Sequence, residues 1–162
     1  MMIAGRFLAL MLVALASCRP TPSSSRAGVA VTTKVVEEHN DVAIQFEIKN
    51  GTSEPLVVVD RFLPWGGNAA NWGDDPALDM RAVDSHGREL PKQYPVRELG
   101  PDATTTIAPG ATAVGTLRPS HYFADFAEVL GRSDVRVEWK YRLNASGRGE
   151  MLFRGATELP RR

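Results

Sequence analysis

Val42-Ala43-Ile44-Gln45-Phe46-Glu47-Ile48-Lys49 decides the class of fold. Val42, Ile44, Phe46 and Ile48 share one side of an extended strand, and Ala43, Gln45, Glu47 and Lys49 share the other. Such alternation marks a strand with one dry face and one wet face. Burial of the four apolar side chains contributes roughly 1.5–3 kcal/mol each, as an upper estimate. Asn50-Gly51 follows, where the chain can turn with positive φ. Pro55 then introduces a further strand, Leu56 to Asp60.

Working outward, Val29 to Glu37 alternates in the same way, and the turn signal His39-Asn40-Asp41 folds it against Val42–Lys49 as an antiparallel hairpin. Ala77 to Val83 reads as a strand, closed by the tight turn Asp84-Ser85-His86-Gly87-Arg88 with Gly87 in the left-handed region. Glu89 to Thr106 is interrupted by Pro91, Pro95 and Pro101, so any strand there is short and near an edge. Ala108-Pro109-Gly110 is a turn before a strand from Thr112 to Leu117. Ser120 to Leu130 reads as a short helix, capped by Ser120, ended by Gly131, with Tyr122, Phe123, Phe126 and Leu130 on one face. Val135, Val137, Trp139, Tyr141 and Leu143 alternate with Arg136, Glu138, Lys140 and Arg142, a second clean half-buried strand. Asn144 to Gly149 turns it back into a last strand, Met151 to Thr157.

The expected fold is all-β: an immunoglobulin-like antiparallel β-sandwich of about seven to nine strands with one short helix. Each strand has one dry face, so a second sheet must cover it. The balance of 19 basic and 19 acidic residues gives no nucleic-acid footprint. Fourteen Gly and eleven Pro suit a turn-rich β protein. The single cysteine excludes a disulfide within the chain.

Residues 1–17 carry one charge, Arg6, then an apolar run from Phe7 to Ala16 and Ser17, the pattern of a secretory signal. The run is too short to span a bilayer comfortably. Leu15-Ala16-Ser17-Cys18 resembles a bacterial lipobox. The resemblance implies cleavage before Cys18, acylation of its thiol with diacylglycerol, and a lipid-anchored envelope protein. An ordinary signal peptide with an incidental cysteine is the alternative. Two or more acyl chains anchor durably, at about 0.8 kcal/mol per buried CH₂. Arg19, in place of the Asp that retains proteobacterial lipoproteins in the inner membrane, implies the outer membrane if the host is Gram-negative. Arg19 to Gly28 is rich in Pro and Ser and reads as a flexible tether over 18–28, ahead of a domain at 29–160.

The run Phe46-Glu47-Ile48-Lys49-Asn50-Gly51-Thr52-Ser53-Glu54-Pro55-Leu56, then Asp84-Ser85-His86-Gly87 and Ala108-Pro109-Gly110, resembles small bacterial Ig-like domains. These are the intracellular proteinase inhibitors of bacilli and the propeptide-like domains of deuterolysin-type metallopeptidases. The resemblance implies a sandwich and carries over no functional residue.

Phe62, Trp65 and Trp72 lie in the Gly/Asn-rich stretch Phe62 to Gly73 and form the candidate binding loop. The competing expectation, and the favoured one, is that Trp65 and Trp72 fold back to plug one end of the sandwich. Asp74, Asp75 and Asp79 lack the spacing of an EF-hand. His39, His86 and His121 form no HxH or HExxH pattern, so no metal is expected. No G-x-S-x-G elbow is present. The sequence therefore points to a non-enzymatic, membrane-anchored interaction module with no cofactor, attached to the bilayer through acylated Cys18 and binding a protein or envelope partner. An envelope-displayed proteinase inhibitor using the 62–73 loop is the alternative.

Overall fold

The computed structural model describes residues 24–38, 41–66, 76–93 and 103–162. Among them the chain is all-β, with nine strands in antiparallel sheets and one short α-helix. The strands are β1 (Ser24–Arg26), β2 (Val29–Glu38), β3 (Asp41–Asn50), β4 (Leu56–Val59), β5 (Leu78–Asp84), β6 (Thr104–Ile107), β7 (Thr112–Leu117), β8 (Val135–Ala145) and β9 (Gly149–Leu159); the helix α1 is Phe126–Leu130. They form a four-stranded sheet in the order β1-β2-β3-β7, a three-stranded sheet β5-β8-β9, and a two-stranded sheet β4-β6.

The β2–β3 hairpin runs in continuous register from Val29↔Asn50 to Glu38↔Asp41. Val42, Ile44, Phe46 and Ile48 are buried, as their alternation requires. The β8–β9 hairpin is equally continuous, from Val135↔Leu159 to Ala145↔Gly149. Ser24–Arg26, inside the stretch expected as tether, instead pairs with Val29–Val31. The connecting residues Ala27 and Gly28 both have positive φ, 49° and 79°. That is the two-residue hairpin turn whose twist matches the strands it joins.

Inward residues of all three sheets meet in one core. Phe46 of β3 and Trp139 of β8 form an edge-to-face pair with centroids 5.5 Å apart. Thr157 of β9 donates its hydroxyl proton to Thr33 of β2 at 2.9 Å, both residues being buried. The amide of Ser146, just after β8, donates to the Val57 carbonyl of β4 at 2.9 Å and ties the two-stranded sheet to the end of β8.

Three local expectations need correction. Asn50-Gly51 does not turn with positive φ. Gly51 is there for close approach: its amide donates to the Gly28 carbonyl at 2.7 Å, where a Cβ would collide. The helix expected over 120–130 is split into a 3₁₀ turn at Pro119–His121 and the short α1, with Asp125 left-handed between them at φ 57°. Ser120 does not cap it; its hydroxyl donates to the Asp41 carboxylate at 2.7 Å. Gly131 does end α1, as expected, in right-handed geometry at φ −67°. The apolar face survives the split, because Phe123, Phe126 and Leu130 still reach the core. The Asp84–Arg88 turn forms as expected, with Gly87 at φ 81°. Asp84 accepts from the amides of His86 and Arg88, each at 2.9 Å.

Candidate functional site

Phe62 and Trp65 leave β4 on a compact turn, Asp60–Gly66. The Leu63 amide donates to the Asp60 carbonyl at 3.0 Å and the Gly66 amide to the Leu63 carbonyl at 2.8 Å. Gly66 lies so close to the Asp60 carbonyl that a Cβ has no room. The turn aims the Trp65 indole onto Gly115 of β7, against the core. Phe62 stays half-buried, with the Arg61 guanidinium 4.8 Å from its ring centroid. The structure therefore separates residues that the sequence grouped: Trp65 packs on a strand of its own domain, and Phe62 stacks with Arg61. Trp72, Cys18, His39, Asp74 and Asp75 lie outside the described residues. Asp79 is described, and its carboxylate receives the Lys92 ammonium at 2.8 Å.

An open concavity lies elsewhere, on the wet face of β5-β8-β9. It is a groove of about 630 Å³ whose lining includes Asp79, Arg81, Arg136, Glu138, Lys140, Arg154 and Ala156. Alternation puts these side chains on one face, and register brings them together: Arg81 opposite Glu138, Glu138 opposite Ala156, Lys140 opposite Arg154. Ala156 is short and leaves the hollow between longer neighbours.

One end of the groove is internally neutralised. Arg81 reaches Glu89 at 2.7 Å and Glu138 at 3.9 Å. The hydrogen bond to Glu89 raises the Arg81 pKa further above its already high value. Arg136 bridges Glu138 at 3.2 Å and Glu158 at 3.0 Å. These exposed, solvent-screened pairs contribute little to stability.

At the other end positive charge is in excess. Lys140 and Arg154 stand directly opposite each other, both exposed, with no acidic partner among the described residues. Lys140 also faces Asp79 in register, but the Asp79 carboxylate is taken by Lys92. Like charges directly opposite on paired strands destabilise a sheet. An anion between them removes that repulsion and gains charge-assisted hydrogen bonds. In the sequence, Lys140 was legible as a wet-face residue of its strand. Its partner Arg154 emerges only with the β8–β9 register.

Compared with known protein families and with curated proteins, the chain matches none.

Proposed function

We propose that the chain is a lipid-anchored envelope protein whose β-sandwich of immunoglobulin-like kind is a non-enzymatic binding module. The partner is an envelope component that presents carboxylate or phosphate groups. The lipobox resemblance at Leu15-Ala16-Ser17-Cys18 supports the anchor. The observation that carries the binding reading is the Lys140–Arg154 pair in an open groove, two cations opposed in register where positive charge is in excess. A pair that weakens its own sheet is consistent with a surface kept for a partner. The proteinase-inhibitor reading through the 62–73 loop loses support from Trp65, whose ring is taken up by Gly115.

The test is capture of envelope material on the full-length protein, comparing wild type with Lys140→Glu/Arg154→Glu. Charge reversal is expected to abolish capture at low salt, and wild-type capture to decline as salt rises. An unchanged captured set in the double variant overturns the groove assignment. For the anchor, Cys18→Ser is expected to lose fatty-acid labelling and leader cleavage; normal palmitate labelling of that variant removes the lipoprotein reading.

A further inference from the structure

We infer that the outer edge of β7 is a self-association edge, pairing antiparallel with β7 of a second copy. Among the described residues β7 is the end strand of the four-stranded sheet, bonded on one side, to β3. Among the described residues, no backbone hydrogen bond reaches Thr112–Leu117 from the other side. Sheet edges are commonly blocked by charge, proline, bulges, shortness or cover. The other edges carry such devices. β1 has three residues, and β4 and β6 have four each. β5 is covered by Glu89 and Leu90, through the Val83↔Glu89 bridge and the Leu90 amide bonded to the Ala82 carbonyl at 2.9 Å. β9 presents Glu150, Arg154 and Glu158. β7 reads Thr-Ala-Val-Gly-Thr-Leu, with no charge and no proline, and its register with β3 is unbroken.

The sequence of β7 is self-complementary about Val114. A two-fold axis normal to the sheet keeps wet face with wet face. It then sets Val114 against Val114 of the second copy, and Thr112 against Thr116. On the dry face, Ala113 meets Gly115, beside the Trp65 ring that lies over Gly115. No residue of β7 is charged; the Thr116 hydroxyl donates to the Glu38 carboxylate at 3.1 Å and is left to accept from Thr112 of the second copy. Val114 is 51% exposed, the more exposed of the two large apolar residues that stand out on the described surface, the other being Val35 at 38%. Pairing covers it and joins the two four-stranded sheets into one. The occupant is a second copy because the two-fold pairing sets like residues together on the wet face, Thr with Thr and Val with Val, and small residues, Ala with Gly, on the dry face.

Sedimentation equilibrium of the full-length protein in detergent tests this, with Val114→Lys and Val114→Glu alone and mixed. The wild type is expected to dimerise. Each variant alone is expected to dissociate about tenfold more readily, because like charges meet at the axis. An equimolar mixture of the two variants is expected to recover dimer, which misfolding of either cannot produce. Glu47 stands opposite residue 114 on β3, so Val114→Glu is expected to melt somewhat below Val114→Lys, while both remain folded because residue 114 is half-exposed. A monomeric wild type at high micromolar concentration overturns the inference. So do variants that dimerise as well as the wild type, which would place the contact on another surface, and a mixture that stays dissociated.

Discussion

The indole of Trp65 occupies the space that any side chain at residue 115 would need. A Cβ built on Gly115 falls within the ring, on the face of β7 that looks into the core. A glycine inside a strand commonly marks such an approach. Gly115→Ala is therefore expected to expel the ring and destabilise the protein by about 1–3 kcal/mol. Urea denaturation measures the loss, and acrylamide quenching should show one tryptophan becoming more accessible. Unchanged stability would mean that the indole has another place to go.

Asn50 joins three segments at once and is fully buried. Its side-chain amide donates to the carbonyls of Glu54, at 2.8 Å, and Ile107, at 2.9 Å. Its side-chain oxygen accepts from the Thr52 amide at 3.0 Å and the Thr52 hydroxyl at 2.7 Å. Asn50→Ala is expected to cost about 2–4 kcal/mol, since each orphaned buried group keeps its desolvation penalty. Asn50→Asp should be at least as damaging, because it turns donors toward two carbonyls into acceptors. A chemical melt of the three proteins checks the order.

Tyr141 is completely buried, yet its hydroxyl finds no partner among the described residues. Burial pushes its phenol well above the ordinary tyrosine range. Tyr141→Phe keeps the ring and removes the unsatisfied group. It should leave stability unchanged or raise it by up to about 1 kcal/mol. A melting temperature several degrees lower would show that the hydroxyl is bonded after all.

Asp84 is held below its ordinary pKa of 3.8, first by the Arg88 amide, then by the His86 amide and the Arg88 charge, against the opposing effect of burial. Its native carboxyl is thus a stronger acid than the unfolded one. The stability it contributes is present above the unfolded value and is lost as pH falls through the native value. Asp84→Asn should therefore be less stable than wild type at neutral pH. The difference should shrink as pH falls below 3.8 and vanish only below the native value. Paired melts from neutral to strongly acidic pH measure it; a constant gap would assign the effect to geometry instead of charge.

The second tryptophan contact repeats the logic of the first. Trp139 of β8 lies over Gly155 of β9, its cross-strand partner, and a Cβ there would overlap the ring. Both glycines are visible in the sequence as interruptions of apolar alternation. Which indole each one receives is not visible, because Trp65 and Gly115 are brought together only by the turn at Asp60–Gly66 and the β3–β7 register. The same division holds for the groove, where Lys140 was legible as a wet-face residue and its opposition to Arg154 was not.

Alternation with period two is a local property, set by the pleat. It was enough to assign β2, β3, β5, β8 and β9 as strands, the dry faces of β3 and β8, and an all-β body without any knowledge of their neighbours; on β2 it misplaced Val35, which is exposed. Strand order, the merging of three sheets into one core, the placement of Trp65 and the pairing of two cations depend on which distant segments meet. That choice is made by the whole core at once, through side-chain volumes and buried hydrogen bonds that no short window of sequence contains.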